Sequence, residues 1–374
     1  MIKKIVLTGG PGSGKTTVLD KIKQVYTMQG IKVLIVQETA TELINSGVSF
    51  LDGTISLLDF QELVLRLQLY KEEIIDRTLE YSKKDDILVI YDRGTIDNSA
   101  YVSKEEFEEV LARLNHEKSF SDLMNHYDLV IDLVGREDFY TTENNKARSE
   151  SVDEALNLGN KTLQSWVGHR KVRIVKPKDT IDEKINEVLN IINELIDKKE
   201  VKRQEKYSVD LSRTDLDYVY KNSKVATIEQ VYLDSEESEE KRLRRIVFND
   251  SVSYVFSVYK KLTNGEKVIV FEKHIDEATY NALMEFRNKK YGIIKKKRYY
   301  FAYDGEYFYL DIFADNKDIG ILEINVMKDE VINIPEFIAT IENVTRNESY
   351  YNKMIAFREG KRIKYDKDIY RTNA

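Results

Sequence analysis

The 374-residue chain has no cysteine, four histidines and one tryptophan, and no apolar run that approaches the ~18 residues of a membrane-spanning helix. The missing cysteines exclude disulfides and thiolate metal sites, and the few scattered histidines disfavour a zinc cluster. Any metal is therefore expected to be a hard ion held by oxygens. The start MIKKIVLTGG passes directly into a strand and a glycine-rich loop, leaving no room for a signal peptide, so a cytoplasmic location is expected. An excess of positive charge is also missing: Lys and Arg number 58 against 65 Asp and Glu, a net charge of −7. That balance argues against general nucleic-acid binding but leaves room for a local basic pocket. No internal repeat or low-complexity tract stands out.

Hydrophobic residues make up 42% of the chain, enough to build a core, and the length suits two domains rather than one. Residues 1–200 alternate apolar runs with helical stretches. Lys3–Leu7, Lys32–Val36, Ile87–Tyr91, Leu129–Val134 and Val172–Val175 read as five buried strands, the pattern of an α/β domain with a parallel sheet. Residues 201–222 are polar and read as a linker. From 223 to 374 the pattern changes to alternating strands and hairpins, which predicts antiparallel β architecture, with SEESEEKR at 235–242 as a charged loop.

Gly9, Gly14, Lys15 and Thr16 fit the phosphate-loop spacing G-x-x-x-x-G-K-[ST] and lie between an apolar strand and a helix, the context that motif requires. The segment Gly9, Gly10, Pro11, Gly12, Ser13, Gly14, Lys15, Thr16 and Thr17 is the candidate triphosphate cradle. Its glycines allow successive N–H groups to turn towards phosphate, and the following helix start adds its positive dipole end. Lys15 supplies a point charge for the β/γ oxygens, and the Thr16 hydroxyl is a Mg²⁺ ligand. Asp92 follows the strand ILVIY and emerges at the carboxyl edge of the sheet, where it becomes the second candidate Mg²⁺ ligand; Arg93 and Asp97 continue into the same crevice. Glu38, after the second strand, is either an acceptor-side carboxylate or a helix N-cap. The polar stretch 136–150 is either a lid that delivers Arg136, Lys146 or Arg148 to the γ-phosphate or a solvated helix. Trp166 and His169 read as packing and capping groups.

The elements GGPGSGKT, ETAT, FQ and DRG with downstream Asp97 and Tyr101, together with YDLVIDL and Asn144 to Arg148, resemble the P-loop kinases related to nucleoside and ribosylnicotinamide kinases, closest to their NadR-like branch. The resemblance covers roughly 1–190. It implies a five-stranded sheet of order 2-3-1-4-5, ATP or GTP with Mg²⁺ as ligand, and a lid.

From IEQVYL onward, over roughly 223–350, the chain resembles the CYTH or triphosphate tunnel fold, an eight-stranded antiparallel tunnel lined with charges. That resemblance implies that Glu229 matches the second carboxylate of the E-x-E-x-K signature, whose other positions fall on Thr227 and Val231. It also makes Arg242, Arg244, Lys260, Lys296 and Arg298 phosphate-binding cations and Glu272, Asp311 and Glu323 the acidic set, with Val270 and Asn325 in places where the family often has carboxylates. A tunnel thinned of carboxylates is expected to bind a phosphorylated small molecule or lipid head group better than it hydrolyses one. A nucleotide-dependent adaptor that recognises phosphoinositide or polyphosphate is the alternative function, and a tunnel triphosphatase the third.

One check is independent of resemblance. Asp304-Gly305 between alternating runs is a two-residue turn signal, and pairing outward from it sets Arg298 opposite Asp311. Asn264-Gly265 leaves two loop lengths open, one placing Glu272 on the face opposite Lys260 and one placing them together.

Overall fold

The computed structural model describes residues 1–114, 118–135, 152–196, 203–261, 267–314, 316–326 and 332–361. The chain divides into two compact units, Met1–Lys198 and Lys199–Ala374.

The first unit is built on β1 (Ile2–Thr8), β2 (Lys32–Val36), β3 (Ile87–Asp92), β4 (Leu129–Leu133) and β5 (Val172–Val175). The helices are α1 (Lys15–Met28), α2 (Thr39–Asn45), α3 (Leu57–Tyr81), α4 (Lys104–Arg113), α5 (Phe120–Asn125), α6 (Val152–Trp166) and α7 (Ile181–Ile196). The sheet order is β2-β3-β1-β4-β5, all parallel. Its central strands are apolar on both faces: Val6, Leu7, Leu88, Val89, Ile90, Val130 and Ile131 have no exposed surface, as expected for a sheet covered by helices on each side. Parallel register sets Leu7 beside Asp92 and Thr8 beside Asp132, so both carboxylates leave the sheet at the edge where β1 ends.

Among its described residues the second unit carries one antiparallel sheet of nine strands, not the expected eight. They are β6 (Arg203–Asp210), β7 (Lys224–Tyr232), β8 (Glu239–Phe248), β9 (Ser251–Lys261), β10 (Lys267–Ile275), β11 (Ile294–Tyr303), β12 (Glu306–Phe313), β13 (Asn316–Val326) and β14 (Thr340–Asn343), in the order β10-β9-β8-β7-β11-β12-β13-β6-β14. Two strands lie where the sequence reads otherwise. β6 and helix α8 (Leu216–Asn222) occupy the stretch read as a linker, and β8 begins inside the stretch read as a charged loop. β8 carries charge on both faces, with Glu240, Arg242 and Arg244 on one and Glu239, Lys241 and Arg245 on the other.

Alternation divides the two faces. Tyr299, Phe301, Phe308, Leu310, Leu322 and Ile324 form an apolar layer with Val219 of α8 and Ile338, and Val231 and Leu243 pack with Tyr280 of α9 (Glu277–Met284). The opposite face carries Lys296, Arg298, Asp311 and Glu323. The hairpin at Asp304-Gly305 has positive φ at both residues and pairs Tyr303 with Glu306, a two-residue turn that places Arg298 opposite Asp311.

Candidate functional site

Four helices of the first unit begin with a side-chain cap: Ser56, Ser103, Ser119 and Thr180 each accept a backbone N–H three residues on. α1 begins differently. Its N-cap is Gly14 at φ 89°, no side chain caps it, and its first turn holds no acidic residue, so its leading N–H groups are left for an external anion. Gly9 and Gly12 also have positive φ. At Gly9 a Cβ would lie 2.3 Å from the Leu133 carbonyl oxygen, and at Gly10 it would lie 2.9 Å from that of Ala155 on α6, so the loop is threaded between β4 and α6.

Lys15 donates from Nζ to the carbonyls of Gly9 (3.1 Å) and Gly10 (3.3 Å), which folds its ammonium back over the loop. Burial, with Arg93 adding to it, pulls this ammonium down to about 8, while Glu38 and Asp92 hold it up. Thr16 and Thr17 are exposed at the helix start. The Ser13 hydroxyl is buried with no hydrogen-bond partner among the described residues.

Asp92 sits at the end of β3, and burial pushes its carboxyl up to about 6 against the pull of Lys15. Its Oδ1 is buried and has no hydrogen-bond partner among the described residues. An unsatisfied carboxylate oxygen near an ammonium and a threonine-led helix start fits a hard divalent ion, so Asp92 and Thr16 suit Mg²⁺ by donor chemistry. Arg93 follows at φ 68°, an unusual conformation for a side chain of its size, and its Nε donates to Glu38 Oε1 at 2.7 Å. Glu38 stands at the N-cap position of α2 but makes no side-chain cap; its other oxygen accepts from Thr41. Burial works to raise the Glu38 carboxyl, yet Arg93 and Lys15 outweigh it and hold it below the ordinary carboxylate value. Asp97 accepts from the Thr8 hydroxyl and from the Gly94 N–H, pinning the DRG turn to the end of β1.

Three contributors escaped sequence reasoning. Asp132, on β4 beside Thr8, is raised to about 7 by burial and by Asp97, and its Oδ1 has no partner among the described residues. Lys184 of α7 donates to the Ser13 and Val134 carbonyls. Tyr127 donates to the buried Glu72 and accepts from the Thr95 N–H, supporting the residues just after DRG. Trp166 packs against Gly94, and His169, pulled down to about 4 by burial, lies between two backbone carbonyls, so both are structural groups. Arg136, Lys146 and Arg148 lie outside the described residues.

In the second unit the charged face draws side chains from β6, β8, β9, β10, β11, β12 and β13. Asp311 accepts from Lys296 and from both Nε and Nη2 of Arg298, while Glu323 accepts from Arg298 (2.9 Å) and from Lys206 of β6 (2.8 Å). Across β7, Arg244 donates to Glu272 (2.6 Å) and to Ser257, and Arg242 pairs with Glu240 while its guanidinium lies 4.0 Å from the Tyr259 ring centroid. Burial draws the Lys296 ammonium down to about 8, opposed by Asp311. Burial tends to raise Asp311, but Arg298 and Lys296 prevail and lower it.

Two expected tunnel residues are placed elsewhere. Glu229 pairs across the ladder with Arg245 and lies 3.6 Å from Lys295, on the face opposite Arg244. The positions of β7 that share the charged face are Lys224, Ala226, Ile228, Gln230 and Tyr232, so a one-residue offset turns Glu229, the one carboxylate of the signature present in this chain, to the other face. Lys260 is exposed and faces away from Ser257 and Glu272, because Ser257 pairs with Glu272 through a bulge at Val270. The Asn264-Gly265 turn itself lies outside the described residues. Lys206, missed as part of a supposed linker, joins the cluster instead. Among the described residues no group of three His, Asp or Glu is arranged to hold a metal ion, and no helix is long and apolar enough to cross a membrane.

Residues 4–184 match the model of a family described as an AAA domain, which supports a P-loop-like nucleotide-binding domain in the first unit. No curated protein matched the chain. Among solved structures, the inorganic triphosphatase NE1496 is 21% identical, covering 42% of this chain and 95% of that one at a TM-score of 0.31. A conserved hypothetical protein from Pyrococcus furiosus is 19% identical over 34% of this chain and 80% of its own, at a TM-score of 0.27. A protein from Pyrococcus horikoshii is 16% identical over the same shares, at a TM-score of 0.25.

Proposed function

We propose that the first unit binds ATP or GTP with Mg²⁺ over Gly9–Thr17 and transfers or hydrolyses the γ-phosphate, and that the second unit binds a phosphorylated, polyanionic ligand on its charged sheet face. The observation that carries the first half is the uncapped start of α1, which begins with the half-buried Lys15, beside an unsatisfied Asp92 oxygen. Lys15 offsets charge on the β/γ oxygens. Thr16 and Asp92 would hold Mg²⁺, which would supply positive charge to offset charge developing on the phosphate. Glu38 fixes Arg93 at the mouth of the crevice and orients an acceptor; its lowered proton affinity suits a hydrogen-bonding role better than proton abstraction. Arg148 is the proposed lid cation.

A second reading, an adaptor that couples nucleotide binding to capture of a phosphoinositide or polyphosphate with little turnover, is supported by the second unit. Asp311, Glu323, Glu272 and Glu240 are each already engaged by cations, so they are poorly suited to gather metal ions for hydrolysis.

Calorimetric titration of ATP and GTP into the whole chain with Mg²⁺, beside Lys15→Ala, tests the first half. The variant is expected to lose about 100-fold or more in affinity, and unchanged affinity rejects the assignment. A phosphate-release assay separates the enzyme from the adaptor. For the second unit, tripolyphosphate is expected to bind in EDTA; rapid metal-dependent hydrolysis that survives Lys15→Ala contradicts the binding role.

A further inference from the structure

We infer that Lys184 is a positioning residue of the phosphate loop: from α7 it holds the Ser13–Gly14 and Val134–Gly135 peptide units in the orientation that anion binding needs. The inference rests on the phosphate-site reading above.

α7 packs through Ile185, Val188, Ile191, Ile192 and Leu195, and Lys184 lies among these buried positions at 7% exposure. A lysine there is costly unless its ammonium is satisfied. Its Nζ donates to the Ser13 carbonyl at 3.1 Å and to the Val134 carbonyl at 2.9 Å. In a planar trans peptide the C=O and the next N–H point in opposite directions. Drawing the Ser13 oxygen towards α7 therefore turns the Gly14 N–H away from α7, at the start of α1. Drawing the Val134 oxygen the same way turns the Gly135 N–H away as well. Gly14 holds the left-handed conformation (φ 89°), and a Cβ there would come within 3.0 Å of the Ile181 side chain in the first turn of α7, while one at Gly135 would lie at ordinary contact distance from the Pro11 carbonyl. The same contact joins the phosphate loop to the exit of β4. Lys15 completes the pattern from the other side by holding the Gly9 and Gly10 carbonyls. Two lysines thus fix opposite ends of one loop through its carbonyls, which leaves its amides to a phosphate.

The test uses the whole chain as wild type, Lys184→Met, Lys184→Gln and Lys184→Arg, titrated with ATP and Mg²⁺, with melting followed in the presence and absence of ATP. Lys184→Met is expected to weaken ATP binding about 10- to 100-fold and to shrink the ATP-induced rise in Tm, with Lys184→Arg restoring affinity to within about threefold of wild type. Lys184→Gln, which keeps an amide donor but loses the charge and the reach of the ammonium, falls between them and serves if the methionine variant does not fold. A folded methionine or glutamine variant with wild-type ATP affinity, even at lowered Tm, overturns the inference and leaves the phosphate site standing. Wild type that does not bind ATP sinks the phosphate-site reading and this inference with it.

Discussion

The two units gather charge in opposite ways. Around β1 the groups proposed to meet phosphate are backbone amides, and the polar atoms beside them are held without partners among the described residues: the Ser13 hydroxyl, Asp92 Oδ1 and Asp132 Oδ1. On the charged face of the second unit the seekers are side chains, and each of Lys206, Arg242, Arg244, Lys296 and Arg298 already has a carboxylate. Fixed dipoles need no reorganisation when an anion arrives. Paired side chains must exchange one anion for another, so affinity there is a difference between two strong interactions. The first arrangement suits tight binding of one shape of ligand, and the second suits a ligand charged enough to displace carboxylates.

The hardest strike at this contrast falls on Asp311. Replacing it with alanine leaves the buried Lys296 and the half-buried Arg298 with less compensation, and a loss of about 3–5 kcal/mol in stability is expected by denaturant unfolding. A loss under about 1 kcal/mol would show that the cluster is better hydrated than its burial indicates. Asp92→Asn tests the opposite case. The oxygen it alters has no partner to lose, so stability changes by less than about 1 kcal/mol while Mg²⁺-dependent ATP affinity falls. A large stability loss with intact affinity would make Asp92 structural.

The pH dependence of the second site sharpens the contrast further. Lys296 has a folded value near 8, below its ordinary 10.5, so it is a full cation only below about pH 8. Tripolyphosphate binding is expected to weaken above that pH by up to about tenfold per unit, and Lys296→Met should abolish the trend. Folding carries the opposite sign for the same group. Its burial in charged form costs stability below pH 8, and that cost is relieved between about 8 and 10.5 as the unfolded chain keeps the proton longer. The smallest effects belong to Lys260→Ala and Glu229→Ala, outside the charged face. Each should alter stability by less than about 0.5 kcal/mol and leave tripolyphosphate binding as it was.

The same contrast explains what could be read from the residues alone. The fold of the first unit was legible because buried parallel strands announce themselves as apolar runs, and its candidate site stood out because Gly9 to Thr17 is one continuous stretch. Asp132 and Lys184 were not, since β4 and α7 reach the loop only through the sheet order and through a contact 171 residues away. In the second unit, the turn at Asp304-Gly305 fixed one register correctly, because its geometry permits only a two-residue loop between those strands. Glu229 and Lys260 were misplaced for a related reason. In a two-faced strand a one-residue offset or a bulge moves a side chain to the other face, and neither the offset in β7 nor the bulge at Val270 has a compositional signal. β6 and β8 escaped because charge along a strand looks like the charge of a loop.

The central claim is that backbone amides of one short segment, and not the charged sheet, receive the nucleotide. Amide hydrogen exchange of the whole chain with and without ATP and Mg²⁺ measures this directly. Slowed exchange confined mainly to residues 9–17 is the expected result. Saturating ATP that protects strands between 203 and 326 while residues 9–17 exchange as before would contradict it.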